Sequence, residues 1–264
     1  LPIGIPVTVG TIDAAAEAVS VGVRQAGDMM VMYGSTMFFI GICMGNKSEQ
    51  SLWSAPWLFE NEFALMAGTS TSGTITQWFK KEFAKDLDSD EALQILSEMA
   101  EKSPIGSKNL ITLPYFSGER TPIQDPNACG IIFGLNLTHK REDIYRSIIE
   151  GISYGTNHII ETFMQSDFIP KKLLAVGGGI KNKIWTSSIS NISSLSQELK
   201  SITIGASYGN SFLAALSIGD VDISEIDSWN KTKHIINPKP SLIYEEQFKI
   251  FKKLYENNKE LFTK

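Results

Sequence analysis

The run Leu173–Trp185, reading LLAVGGGIKNKIW, constrains the fold more than any other stretch of this chain. An apolar segment long enough for a buried strand leads into Gly177, Gly178 and Gly179, and a helix is predicted to start near Asn182. A strand that passes through glycines into a helix lets a ligand approach the backbone, because side chains are missing there and the helix N-terminus offers free N–H groups. The pattern is typical of a nucleotide-binding turn and equally of an ordinary strand-to-helix turn.

The composition is that of a globular protein with a full core. The chain has 264 residues, of which 42% are hydrophobic, and a formal net charge of −5, which indicates no nucleic-acid partner. No apolar run reaches the length of a membrane span, so we expect a cytoplasmic protein with no membrane partner. Cys43 and Cys129 lie in apolar surroundings without metal-like spacing, and we expect both to be reduced core thiols.

The first segment of the chain combines a predicted strand with a candidate acid–base residue. Pro6–Gly10, reading PVTVG, has the β-branched content of a buried strand, and an alanine-rich helix follows it. Asp13 lies at their junction. It can be the N-cap of the helix, and it also occupies the position where α/β enzymes place a general base.

A second candidate site is the turn between two predicted strands in Asp28–Cys43. Gly34 and Ser35 lie in this turn, which predicts either an ordinary hairpin or a set of N–H and O–H groups for phosphate oxygens. We expect 46–59 to be an irregular surface segment. The helix after Gly73 should carry Trp78 and Phe79 on its inner face.

The second half of the chain contains two predicted helices and one polar loop. The loop Ser117–Pro126, reading SGERTPIQDP, has many turn-forming residues, so it must be held by polar contacts and its charged residues are predicted to be structural. A long helix is predicted over Arg141–Gln165. Aromatic residues at helical spacing predict a C-terminal helix within 238–264 that packs back on the domain.

Four separated stretches together resemble the C-terminal lobe of the FGGY carbohydrate kinases. They are GTIDAAAEA, YGST, PYFSGERTPIQDP with GIIFGLNLTHKREDIYRSIIEG, and VGGGIKN with IGASYGNSFLAA. The third is the most specific, since Gly130, Gly134, Leu135, Asp143-Ile144 and Ser147-Ile148-Ile149-Glu150 follow the family's signature in order. The resemblance covers roughly Pro6 to Asp220 and is strongest to the xylulose-kinase branch.

The resemblance implies an actin-like, ribonuclease H-like α/β fold, with a mixed sheet flanked by helices, and a reaction that uses ATP with Mg²⁺. Asp13 matches the family's catalytic aspartate, which takes the proton from the sugar hydroxyl. Gly34 and Ser35 match the family's turn at the ATP phosphates, and Gly73 matches a glycine near them. Gln77 matches a position beside the adenosine. The adenine pocket is matched by Gly178, Gly179 and Asn182. No metal ligand is assigned to this chain. Ser193–Ile204 is shorter than in the family, which affects the edge of the adenine pocket.

The resemblance also implies that residues 1–264 form one C-terminal, ATP-binding domain of a longer polypeptide. The family's N-terminal, sugar-binding domain is absent from this chain, so the isolated domain is expected to be inactive and to self-associate as a possible homodimer. D-Xylulose is the expected substrate, with gluconate, ribulose or glycerol as alternatives. A non-catalytic actin-like nucleotide-binding module is the other function class, and Asp13 distinguishes the two because a nucleotide switch needs no base aimed at a sugar.

Overall fold

A mixed β-sheet forms the centre of the computed structural model, which describes residues 2–47, 51–87 and 90–262. Within these residues the sheet has seven strands in the order β3-β4-β2-β1-β7-β8-β9, and β5 and β6 form a separate two-stranded sheet. The strands are β1 Asp28–Tyr33, β2 Met37–Met44, β3 Trp53–Pro56, β4 Glu62–Gly68, β5 Ile111–Leu113, β6 Ile131–Phe133, β7 Lys172–Val176, β8 Gln197–Lys200 and β9 Thr232–Ile236.

Three central strands, β1, β7 and β8, run parallel, and the other pairs in the large sheet are antiparallel. The register pairs Met32 with Val176, so β1 and β7 end side by side. The turns that follow them, at Gly34 and at Gly177, therefore leave the same edge of the sheet. In open α/β sheets, ligands bind beyond the carboxyl ends of the parallel strands.

Helices cover both faces of this sheet. The α-helices are α1 Asp13–Ser20, α2 Gly73–Phe83, α3 Ala92–Ala100, α4 Arg141–Gln165, α5 Lys183–Ser193, α6 Ala206–Ser217, α7 Ile226–Trp229 and α8 Leu242–Asn258. Alternate residues of β1 point to opposite faces: Met30 joins the core under α1 and α6, whereas Met29 and Val31 join the core under α2, α4 and α5.

The predicted long helix is seen in full as α4, and its far side carries a third layer. There, β5, β6 and α8 share a core that includes Tyr154, Tyr244 and Phe251. Beside this core, the buried Glu150 carboxylate accepts hydrogen bonds from Arg146 Nε at 2.8 Å and from the Tyr244 hydroxyl at 3.0 Å. The C-terminal helix is thus attached to α4 by aromatic packing and by the hydrogen bond from Tyr244 to the buried Glu150 carboxylate.

The predicted strand at Pro6–Gly10 is wrong. These residues form no strand, and the side chains of Val7 and Val9 are 92% and 96% exposed. A β-branched run favours an extended backbone, but a buried strand also needs a neighbouring strand, and among the residues that the structure describes none pairs with it.

Three further expectations are corrected. Only Phe79 of the aromatic pair on α2 is buried, and Trp78 is 36% exposed, because successive helical residues point about 100° apart. The segment 46–59 contains the edge strand β3, which pairs with β4. Cys43 is buried but Cys129 is exposed, in the irregular segment directly before the short strand β6.

No helix among the described residues is both long and apolar enough to cross a membrane.

Candidate functional site

The Gly34–Ser35 turn is fixed by backbone hydrogen bonds from the loop that precedes α2. The Gly34 carbonyl accepts from Gly73 N at 3.1 Å, and the Ser35 carbonyl accepts from Ser72 N at 3.0 Å and from Thr74 N at 3.2 Å. Both carbonyls therefore point towards the loop. Among the described residues, the N–H and hydroxyl of the exposed Ser35 have no hydrogen-bond partner.

Gly73 allows this close approach. A Cβ atom built on Gly73 would lie 2.5 Å from the Gly34 carbonyl oxygen, which is closer than any real contact of that kind. The family resemblance implied that Gly34, Ser35 and Gly73 all lie near the phosphates, and the structure brings the three residues into direct contact.

Tyr33 joins this turn to the glycine turn, Gly177–Gly179. Gly177 has a φ of +98°, and a Cβ there would lie 2.5 Å from the Tyr33 carbonyl oxygen. The Tyr33 ring packs edge-on against Trp185 with centroids 5.1 Å apart, and its hydroxyl donates to the Gln197 side-chain oxygen. Burial raises the pKa of Tyr33, so the phenol stays a neutral donor and its orientation is fixed.

A cavity of about 710 Å³ opens between α3 and the glycine turn, a volume in the range of small-molecule sites. Gly178, Gly179 and Asn182 line it together with Thr76 of α2, Tyr145 of α4 and Trp185 of α5. A Cβ added to Gly178 would meet no atom within 4 Å, whereas a Cβ on Gly179 would lie 2.6 Å from the Trp185 ring. Gly178 therefore faces open space, and Gly179 is packed.

The opposite wall of the cavity is acidic. It is formed by side chains at and around α3, which we call the α3 wall: Asp90, Glu91, Leu93, Gln94, Ser97, Glu98 and Glu101. Lys181 and Lys183, both exposed, lie on the side of the glycine turn. The cavity thus has an acidic side and a basic side, so an anionic group is favoured near the lysines.

Asn182 is the N-cap of α5. Its side-chain oxygen accepts a hydrogen bond from Trp185 N at 3.1 Å, so one of its two polar atoms is already used. The side-chain NH₂ group has no partner among the described residues and is available to a ligand.

Asp13 and Gln77 lie outside the cavity. Asp13 is the exposed first residue of α1, and its carboxylate accepts from Ala14 N at 2.8 Å. The N-cap of α1 is Ile12, so the N-cap interpretation of Asp13 is wrong. Gln77 lines a smaller depression with Lys80 and Lys81, while its neighbour Thr76 lines the cavity.

The described residues form no group of three or more His, Cys, Asp or Glu side chains that could hold a metal ion. Their side chains therefore do not fit a metal ion held by protein ligands alone.

The sequence prediction missed the α3 wall, Tyr33 and Tyr145. The α3 wall had a signal, since Glu91, Gln94, Glu98 and Glu101 recur at spacings of three and four residues and so share one helix face. Tyr33 ends an apolar strand, and Tyr145 lies at helical spacing from Ile148, Ile149 and Ile152 on the buried side of α4, so the sequence pattern marks both as ordinary core residues.

A family model matches residues 29–218, and its description is the FGGY family of carbohydrate kinases, C-terminal domain. The chain is 26% identical over 264 residues to a xylulose kinase of Bacillus subtilis, covering 96% of this chain and 51% of the relative. It is 25% identical over 272 residues to a ribulokinase of Bacillus licheniformis, covering 98% and 49%. The chain spans about half the length of the curated relatives it matches.

The structure is similar to that of a xylulose kinase from Rhodospirillum rubrum. The TM-score is 0.92 at 25% sequence identity, and the match covers 99% of this chain and 53% of the other. The mixed sheet flanked by helices is the actin-like ATPase fold that the sequence predicted.

Proposed function

Because the chain belongs to the FGGY family of carbohydrate kinases and matches the model of their C-terminal domain, we propose that it is the ATP-binding half of a sugar kinase. The observation that carries the proposal is the contact between two turns. The Ser35 N–H and hydroxyl of the Gly34–Ser35 turn are free. Tyr33 connects this turn to the glycine turn, which lines the cavity. This arrangement suits a ligand with phosphates at one end and a flat apolar group at the other.

The Gly34–Ser35 turn with Gly73 is the proposed phosphate end of the site. Ser35 N–H and Oγ would donate to phosphate oxygens, because the carbonyls of the turn are tied back into the Ser72–Thr74 loop. Lys181 and Lys183 line the cavity beside the glycine turn and add positive charge there. Phosphoryl transfer needs little beyond such positioning and charge stabilisation.

The cavity between α3 and the glycine turn is the proposed purine end. Gly178 presents a face free of side-chain atoms, on which a ring can stack. The Asn182 NH₂ group and the carboxylates of the α3 wall would contact the edge of the ring. Adenine suits an acidic wall because its exocyclic amino group is a hydrogen-bond donor.

Asp13 is the proposed general base. Its carboxylate is exposed at the start of α1, so it can receive the proton that leaves a sugar hydroxyl when that oxygen attacks the γ-phosphate. The sugar would lie against a second, N-terminal domain of the same polypeptide. In the segment that precedes Asp13, the apolar side chains of Ile3, Val7, Val9 and Ile12 are exposed, and we assign them to the surface that this domain covers.

Mg²⁺ would neutralise phosphate charge in such a reaction. The described residues offer no group of carboxylates for it, so we assign it no ligand in this chain and no step to it.

D-Xylulose is the proposed substrate, because the resemblance in GERTP and TIDAAAEA is to the xylulose-kinase branch. The test is a phosphorylation screen of the complete gene product with ATP and Mg²⁺ against ketoses, polyols and aldonates. Transfer to xylulose above ribulose, gluconate and glycerol supports the proposal. Phosphate transfer to another of these sugars would change only the proposed substrate. Phosphate transfer to none of them would contradict the proposed kinase function.

An Asp13→Asn variant makes the screen specific to the site. Turnover should fall by on the order of 10² to 10⁴, the usual contribution of a positioned base, while ATP affinity stays unchanged. Near-normal turnover would remove Asp13 as the base. Residues 1–264 alone should bind adenine nucleotide weakly and phosphorylate no sugar, because one lobe cannot align the acceptor oxygen and exclude water.

A further inference from the structure

Glu119, in the polar loop SGERTPIQDP, is a buried carboxylate that accepts hydrogen bonds from two backbone amides. The residue is 4% exposed. Its Oε1 accepts from Ser70 N at 2.7 Å and from Arg120 N at 2.7 Å. The first of these bonds reaches across 49 residues of sequence, so Glu119 ties its own loop to the segment that follows β4.

That segment is the loop that fixes the proposed phosphate end. Ser70 is two residues before Ser72, and Ser72, Gly73 and Thr74 donate to the carbonyls of the Gly34–Ser35 turn. The chain of contacts therefore runs from Glu119 to Ser70, along the loop, and on to the turn. Each bond in it is between 2.7 and 3.2 Å.

Arg120 and Thr121 hold the start of the same segment. The Arg120 guanidinium donates to the Thr69 carbonyl, with Nε at 3.2 Å, and lies over the Trp53 ring at 5.7 Å. Thr121 N donates to the Gly68 carbonyl at 3.2 Å. Three successive residues of one loop thus bind three successive residues of the other.

Burying a charged carboxylate at this position costs free energy of folding, which a purely structural contact would not require. Burial raises the pKa of Glu119 to about 7, although the Arg120 and Ser70 amides and the Arg120 charge act in the opposite direction. A buried polar residue that costs stability and points at a ligand-binding loop is more often found where position matters for function.

We propose that Glu119 is a positioning residue that holds the Ser70–Gly73 loop, and through it the Gly34–Ser35 turn, in the geometry that binds the phosphates of the nucleotide. The inference rests on the proposed function of that turn. Glu119 touches no nucleotide atom itself, and it acts on the phosphate end without contacting the purine end.

The test compares the affinities for ATP and for adenosine in the complete gene product. Glu119→Ala removes the acceptor and should weaken ATP binding roughly tenfold, the usual cost of losing a hydrogen bond to a charged group. Adenosine affinity should stay within about twofold, because adenosine has no phosphate. Glu119→Gln keeps an acceptor oxygen at the same place and should restore most of the ATP affinity.

Glu150→Ala is the matched control. Glu150 is also a buried carboxylate that accepts a backbone N–H, from Gly106 at 3.1 Å, but it lies between α4 and α8. Its loss should lower the melting temperature and leave both affinities unchanged. This control separates a loss of positioning from a general loss of stability.

Several outcomes contradict the inference. They are unchanged ATP affinity in Glu119→Ala, an equal loss of ATP and adenosine, or an equal loss of ATP affinity in Glu150→Ala. If Glu119→Ala does not fold, Glu119→Asp takes its place, with its carboxylate withdrawn by one methylene, and the same ATP-specific loss is expected. If the unmodified protein binds neither ligand, the proposed function itself fails, and that result is distinct from a normal protein with an unaffected variant.

Discussion

The proposed phosphate end is a turn closed by backbone hydrogen bonds, whereas the proposed purine end is an open cavity lined by the Gly178 backbone and by side chains on and around α3 and α5. The Gly34–Ser35 turn and the Ser72–Thr74 loop are joined by backbone hydrogen bonds of 3.0 to 3.2 Å. The cavity at the other end is wide, and Gly178 has no neighbouring atom within 4 Å of its Cβ position.

The closed turn at one end and the open cavity at the other should respond differently to amino-acid substitutions. A backbone-built end has no side chain to rearrange, so an added atom must displace the chain. At Gly178 an added atom enters open space, so the fold is kept and any loss appears only in ligand binding. Two glycine-to-alanine substitutions, one at each end, make the comparison direct.

Gly73→Ala should have the largest effect. The added methyl lies 2.5 Å from the Gly34 carbonyl oxygen, so the turn must move. Turnover should fall by on the order of 10²-fold, as for a displacement of about 1 Å in a catalytic site, and unfolding free energy should fall by about 1–3 kcal/mol. Steady-state kinetics and urea unfolding of the complete protein measure the two effects.

Gly178→Ala is the control for that substitution, since its methyl enters open space. Its unfolding free energy should match that of the unmodified protein. Similar losses of stability in both variants would contradict the contrast between the two ends.

The residues of the two proposed ends were predicted from different kinds of sequence evidence. Gly34, Ser35 and Gly73 were placed together at the phosphates by the family resemblance, since the turn residues alone predicted either an ordinary hairpin or a phosphate site. The parallel pairing of β1 with β7, which puts the two turns at one edge, was not predicted, because a local pattern does not show which strands are neighbours.

The purine end was predicted only in part. The glycine turn was recognised, but the α3 wall was not, because acidic residues on a helix are usually its solvated face. The sequence around Tyr33 has the pattern of a buried strand, and only its position between Gly34 and Gly177 in the structure gives it a further role. The failed strand at Pro6–Gly10 has the same origin, since pairing depends on a neighbour that a local pattern does not contain.

Glu119→Gln tests whether the phosphate end carries a pH-dependent component of stability. Burial raises the folded-state pKa of Glu119 from 4.5 to about 7, so the folded state binds this proton more tightly than the unfolded state does. The contribution of Glu119 to stability is therefore full below pH 4.5 and is lost as the pH rises towards about 7. Relative to Glu119→Gln, the unmodified protein should lose up to about 3 kcal/mol of unfolding free energy across that interval.

Urea unfolding of both proteins at several pH values from 4 to 8 measures this difference. Parallel stability profiles would show that Glu119 does not titrate in this range. The Arg120 charge lowers the pKa of Glu119, and the Glu119 charge in turn raises the pKa of Tyr115.

Gly178→Val should weaken nucleotide binding with little effect on the fold. The branched side chain would occupy the face on which the purine is proposed to stack, and nothing in the described structure opposes it. The affinities for ATP and adenosine should fall together by about tenfold, in contrast to the ATP-specific loss expected for Glu119→Ala. Normal binding by Gly178→Val would mean that the glycine turn is structural.

Asn182 should show the smallest effect, because one of its atoms has a structural role and the other is free. Asn182→Ala removes the N-cap bond to Trp185 N and should cost about 1 kcal/mol of stability, with a weaker loss of ATP affinity than Gly178→Val. Asn182→Asp separates the two roles, since aspartate is an equally good N-cap but replaces the NH₂ donor with an oxygen. If the NH₂ group contacts the purine, Asn182→Asp should keep the melting temperature and still lose affinity for ATP and adenosine, measured by calorimetry. If Asn182→Asp binds both ligands normally, Asn182 is only the N-cap of α5, and the edge of the purine is contacted by the α3 wall instead.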